Sequence, residues 1–158
     1  MEHQPSETST ASLESIISRV LPHRYPFLLV DRVTDFIPGV EIHGIKTFTA
    51  NEETPLGYSP SSPVVPTGIL LEAVTQLGAI LVLERPQMAG KIAMILQIPY
   101  ARFYRFIVPG DTVQFEARVL KLRETLGELQ GSAYLGSALV AEGRMRFAIA
   151  SRAAILNP

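Results

Sequence analysis

Cysteine is absent from the 158 residues, and histidine occurs only at His3, His23 and His43. The missing cysteine removes disulfides, thiolate zinc sites, iron–sulfur clusters and thiol nucleophiles together. No two histidines stand at metal-ligand spacing, so neither a metal nor a cofactor is expected. Acid–base chemistry must then come from carboxylates, tyrosines or one isolated imidazole. An excess of one charge sign is lacking too: 14 Lys+Arg against 15 Asp+Glu give a net charge of −1, with no global attraction to nucleic acid or anionic lipid. The halves differ, with 5 basic and 10 acidic residues over 1–90 against 9 and 5 over 91–158. A basic C-terminal half suits an acidic macromolecular partner, and scattered solvated charge would look the same.

Residues 1–12 are polar and rich in Ser, Thr and Glu, without a basic stretch followed by an apolar core. They read as a disordered leader before a single domain over 13–158, and a cytoplasmic location is the simplest expectation. Leu13, Ile16, Ile17 and Val20 recur at helical spacing. An apolar run over Phe27–Val33 and a second over Val40–Thr49, split by the Pro38-Gly39 turn signal, predict a hairpin. Pro55, Gly57, Pro60, Pro63 and Pro66 among serines predict a long structured loop, a common place for function.

Gly68–Leu83 is the most informative stretch. Its polar positions Glu72, Thr75 and Gln76 fall on one narrow stripe at 100° per residue, and apolar residues cover the rest. Such a helix is buried. It is shorter than the ~20 apolar residues that cross a bilayer and carries a carboxylate, so its host is a protein interior. Beyond Arg85-Pro86 the period becomes two: Ile92, Met94 and Leu96, then Val113, Phe115 and Ala117, then Met145, Phe147 and Ile149 mark strands whose apolar sides are expected in the core. Turns are signalled at Pro109-Gly110-Asp111, at Gly127 and at Gly136-Ser137. A hairpin, one buried helix and an antiparallel meander make an α+β plan in which a sheet wraps a single helix.

The string Leu21-Pro22-His23-Arg24-Tyr25-Pro26-Phe27-Leu28-Leu29-Val30-Asp31-Arg32-Val33 resembles the N-terminal signature of bacterial (3R)-hydroxyacyl-[acyl-carrier-protein] dehydratases. Ala101-Arg102-Phe103, Val108-Pro109-Gly110-Asp111 and Val140-Ala141-Glu142 fit the same family in the same order, so the likeness spans roughly 13–150. It implies the hotdog fold, a bent antiparallel sheet around one long central helix. It also implies a homodimer with acyl tunnels at its interface, which in the family often assembles into a hexamer as a trimer of dimers. The implied ligand is an acyl thioester on carrier protein or coenzyme A.

Residues 57–72 align with the family without a gap. There the loop carries Gly-His-Phe-Pro-Gly, Pro-Gly opens the helix, and the catalytic carboxylate lies in Glu-Ala-x-x-Gln. Glu72-Ala73-Val74-Thr75-Gln76 matches, whereas the family's catalytic histidine falls on Tyr58, its phenylalanine on Ser59 and the helix-opening glycine on Thr67, with Gly68 one place later. The resemblance implies Glu72 as the catalytic carboxylate, and Thr67 and Gly68 as donors of backbone N–H groups to the thioester carbonyl. Thr67 could equally cap the helix through its hydroxyl.

Dehydration needs a base for the proton beside the carbonyl and an acid for the departing hydroxyl. A phenol with an ordinary pKa of about 10 is a poor base beside an imidazole near 6.5. Dehydration is therefore expected to be impaired or altered, with Tyr58 either a replacement proton-transfer group or an aromatic cover for the tunnel mouth. His23, without a partner in reach in the sequence, reads as structural, and His43 as solvent-facing or interfacial. Arg102 and Arg105 are the candidates for contact with the acidic carrier protein, against the reading of ordinary exposed arginines. Thioester hydrolysis on the same fold and a non-catalytic subunit of a heteromeric dehydratase are the alternatives.

Overall fold

The structure, a computed structural model, describes residues 13, 16–52, 59 and 61–156; the expected leader over 1–12 and Tyr58 fall outside them. Six strands form one antiparallel sheet: β1 (Arg32–Ile37), β2 (Glu41–Thr47), β3 (Lys91–Phe103), β4 (Thr112–Leu122), β5 (Leu126–Leu135) and β6 (Ala138–Ser151). Their spatial order is β1-β2-β4-β5-β6-β3. The meander holds for β4, β5 and β6, but β3 crosses to the far edge and pairs with β6.

The central helix spans Thr67–Leu83 and buries Leu70, Ala73, Val74, Gln76, Leu77, Gly78 and all of 80–83. These side chains meet Ile42, Val113, Phe115, Ala117, Leu129, Ala133, Met145 and Phe147 from the inner face of the sheet in one core cluster. Alternation along β4 and β6 reflects this arrangement: one face covers the helix and the other is more open. Gly131 on β5 permits the closest approach, since a Cβ there would lie 1.9 Å from Val74 Cγ1. The positive φ of +60° at Gly136 makes the β5–β6 turn where Gly136-Ser137 predicts it.

Several expectations are corrected. The first strand is not Phe27–Val33 but Arg32–Ile37, because the Phe27 carbonyl and the Leu29 N–H bond to the Gln76 side chain instead of a neighbouring strand. Gly127 is not a turn: it lies in β5, and the reversal occurs over 123–126, closed by Arg123 N–H donating to the Leu126 carbonyl at 2.8 Å. Leu96 is not core, since β3 is an edge strand whose residues 95–99 all stand exposed, Leu96 at 60 %. Ile92 and Met94 are only half-buried.

Candidate functional site

Glu72 occupies the second turn of the central helix, about one-third exposed, on the side facing the segment over 21–29. Gln76 holds the two together. Its Oε1 accepts from Leu29 N–H at 2.9 Å, and its Nε2 donates to the Phe27 carbonyl at 2.8 Å and to Glu72 Oε1 at 3.0 Å. Gln76 is 1 % exposed, and each polar atom of its amide has a partner, as burial requires. At the other end of the segment Arg24 Nη1 donates to the Leu21 and His23 carbonyls at 2.8 and 2.7 Å, and Nη2 to the Ser18 carbonyl at 3.1 Å. The guanidinium so caps the helical turn over 16–20 and fixes the backbone at His23.

Between these two clamps His23 Nε2 lies 3.7 Å from Glu72 Oε1. The imidazole that looks isolated in the sequence is therefore beside the helix carboxylate, 49 residues away along the chain. No local periodicity signals such a contact; the single hint is that both residues belong to matched family strings.

Thr67 and Gly68 do open the central helix. Pro66 precedes them and no side chain caps the end, so Thr67 does not use its hydroxyl for this purpose; its backbone has already entered the first helical position. Ile69 N–H reaches back to the Pro66 carbonyl at 2.9 Å, and a Cβ added at Gly68 would meet nothing within 4 Å. Among the described residues the helix N-terminus is thus without a side-chain cap, and the side of Gly68 where a Cβ would stand is open.

The described residues on either side of 53–58 are held in place. Lys46, 4 % exposed, pairs with Glu52 and with Asp31 Oδ1 at 3.3 Å, while Glu52 Oε2 accepts from Thr49 N–H at 3.0 Å. On the far side Ser59 and Ser62 form an antiparallel bridge, and Val65 N–H donates to the Ile107 carbonyl at 2.8 Å. That last bond brings the connection between β3 and β4, with exposed Arg105 and Phe106, to the approach of the central helix.

Arg102 is already engaged: it lies 3.7 Å from Glu142 Oε1 and its guanidinium carbon is 5.5 Å from the Tyr100 ring centroid. Tyr104 Oη donates to the same carboxylate at 2.8 Å, and this hydrogen bond to Glu142 raises its phenol above the ordinary value. Of the two arginines, Arg105 is the one without an ion pair among the described residues. His43 sits on the face of β2 turned from the helix, 3.7 Å from Glu41 Oε1. Among the described residues no group of three or more His, Asp or Glu could hold a metal, and no helix is long and apolar enough to cross a membrane.

A six-stranded antiparallel sheet wrapped on one helix, with a carboxylate in the helix's second turn, is the hotdog architecture. A hot-dog-like protein from Thermanaerovibrio acidaminovorans superimposes with a TM-score of 0.60 at 21% identity, over 77% of this chain and 88% of that one. The dehydratase heterocomplex ApeI:P from Xenorhabdus doucetiae gives 0.76 at 16% identity, over 90% and 97%. Residues 21–144 match the FabA-like domain, and the chain belongs to that family. It is 47% identical over 136 residues to the 3-hydroxyacyl-[acyl-carrier-protein] dehydratase FabZ of Desulforamulus reducens, covering 86% of this chain and 96% of the relative.

Proposed function

We propose that the protein acts on 3-hydroxyacyl thioesters of fatty-acid biosynthesis, carried by acyl-carrier protein, and dehydrates them with proton transfer arranged differently from the rest of its family. The observation that carries this reading is Glu72 beside an uncapped helix N-terminus with open space at Gly68. A carbonyl placed on the N–H groups of Thr67 and Gly68 gains charge stabilisation as the proton beside it leaves, which is the electrostatic part of such a reaction. Glu72 then lies along the helix where the carbon chain and its hydroxyl would follow. Identity of 47% to a FabZ dehydratase over nearly its whole length supports the substrate class.

The working unit on this reading is a homodimer paired through β3, with the acyl chain in a tunnel at the interface and further assembly into a hexamer as in the family. Arg105 faces the carrier protein, an acidic partner, with Arg102 behind it on Glu142. Tyr58 takes the place of the loop histidine, where a phenol is a poor base. A carrier-protein substrate and a chain without cysteine suit the cytoplasm.

Incubating the protein with 3-hydroxyacyl-carrier protein and following the conjugated enoyl thioester tests the reading. Slow but measurable enoyl formation is expected, and the double variant Tyr58→His, Ser59→Phe is expected to raise it at least about tenfold, since a positioned general base contributes ~10²–10⁴. Free thiol released without enoyl product would overturn dehydration in favour of hydrolysis. Activity that appears only with a second, histidine-bearing hotdog protein would make the chain an accessory subunit.

A further inference from the structure

We propose that His23 and Glu72 of one chain form the acid–base pair of the dehydration, the carboxylate taking the proton beside the carbonyl and the imidazole giving one to the departing hydroxyl. This rests on the reading of the site as a hydroxyacyl dehydratase and names the groups that do its proton transfer.

Three observations converge. His23 Nε2 and Glu72 Oε1 stand 3.7 Å apart, and the two side chains are 35 % and 38 % exposed, so a ligand can reach both. Among the described residues His23 Nδ1 is buried with no hydrogen-bond partner, and Nε2 is the ring nitrogen that faces Glu72 and the solvent side. Third, the pair is held from both sides: Arg24 grips the carbonyls of His23 and Leu21, and Gln76 ties Phe27 and Leu29 to Glu72 itself. Arg24 spends its guanidinium on carbonyls and does not compete for the carboxylate. Of the other two histidines, His43 lies on the opposite face of the sheet with Glu41, and His3 falls outside the described residues.

The step balances as follows. The Glu72 carboxylate removes the C2 proton, and the C2–H electron pair becomes the C2–C3 double bond. The C3–O bond breaks with its pair on oxygen, and protonated His23 supplies the proton with which that oxygen leaves as water. The site ends as carboxyl and neutral imidazole. It resets when the proton passes from Glu72 to Nε2, for which 3.7 Å must close by less than about 1 Å to hydrogen-bond distance.

The test measures enoyl formation by the full-length protein for wild type, His23→Ala, Glu72→Gln and the control His43→Gln. Binding of a carrier-protein-linked 3-hydroxyacyl amide, which has no thioester to activate, is measured beside it. His23→Ala and Glu72→Gln are expected to lower kcat by ~10²–10⁴-fold with amide binding within about threefold, while His43→Gln keeps the wild-type rate. Added imidazole is expected to restore part of the rate of His23→Ala, whose missing ring leaves an open site, and none of Glu72→Gln. Unchanged kcat in His23→Ala overturns the proposal, and so does a loss that imidazole does not rescue, which would mark a structural role. A wild type that binds the amide without dehydrating the thioester also overturns it but leaves the substrate reading standing. A wild type that does not bind removes both.

Discussion

Gln76 shows how much one side chain can settle in this chain. Its amide replaces a neighbouring strand for Phe27 and Leu29 and orients Glu72 at the same time, so structure and chemistry share one residue. Gln76→Leu keeps the volume but leaves a buried N–H and a carbonyl unpaired, each costing about 1–3 kcal/mol. The urea midpoint is expected to fall by the equivalent of roughly 2–4 kcal/mol, with enoyl formation lost beyond what unfolding explains. A variant within about 0.5 kcal/mol of wild type would show that solvent satisfies those groups and that the clamp is dispensable. None of this is visible in a periodicity, because the partners are 47 and 49 residues apart. The sequence marks Gln76 only as a polar interruption in an apolar helix and His23 only as an imidazole with nothing near it.

The elements divide between those whose pattern is local and those whose environment is not. The central helix and strands β4 and β6 are legible because each buries one defined face inside this chain, and apolar spacing records that face directly. The run over Phe27–Val33 is equally apolar yet lies mostly outside the ladder, since its hydrogen bonds go to a side chain. In β3 the apolar spacing of the sequence is not matched by burial, because the edge residues 95–99 are covered by none of the described residues. The contact of β5 with the helix yields a sharp test. Gly131→Ala places a methyl into Val74 and is expected to destabilise by roughly 1–3 kcal/mol, the range for overpacking a tight core. Gly68→Ala, with open space around the added methyl, is expected to stabilise by up to about 1 kcal/mol through helix propensity. Thermal melts of both variants decide the matter: equal shifts of one sign would mean that the sheet can back away from the helix and that the packing there is loose.

At the scale of the molecule the unexplained surface is β3. It forms one edge of the sheet, and its residues 95–99 are exposed in succession, including Ile95, Leu96 and Ile98. On a strand, neighbours point to opposite faces, so a run exposed without interruption means that neither face is covered there. Soluble proteins blunt free edges with charge, proline or bulges. Pro99 and the register shifts between Ile95 and Gln97 and between Gln97 and Tyr100 do so locally, but three exposed aliphatic side chains work the other way. A cleft of about 590 Å³ with Leu96, Leu126 and Phe147 in its walls and Lys121, Arg123 and Arg146 around it opens beside the same strand. A second copy laid antiparallel along β3 would extend the sheet, bury the aliphatic residues and wall the cleft. Leu96→Asp puts a charge on each side of that seam, where removal from water costs several kcal/mol per ion without a partner. Wild-type protein is expected to run as a dimer or larger in light scattering and the variant as a folded monomer with wild-type circular dichroism. A variant that keeps the wild-type mass would move the interface elsewhere, and a monomeric wild type would mean that a different partner covers β3.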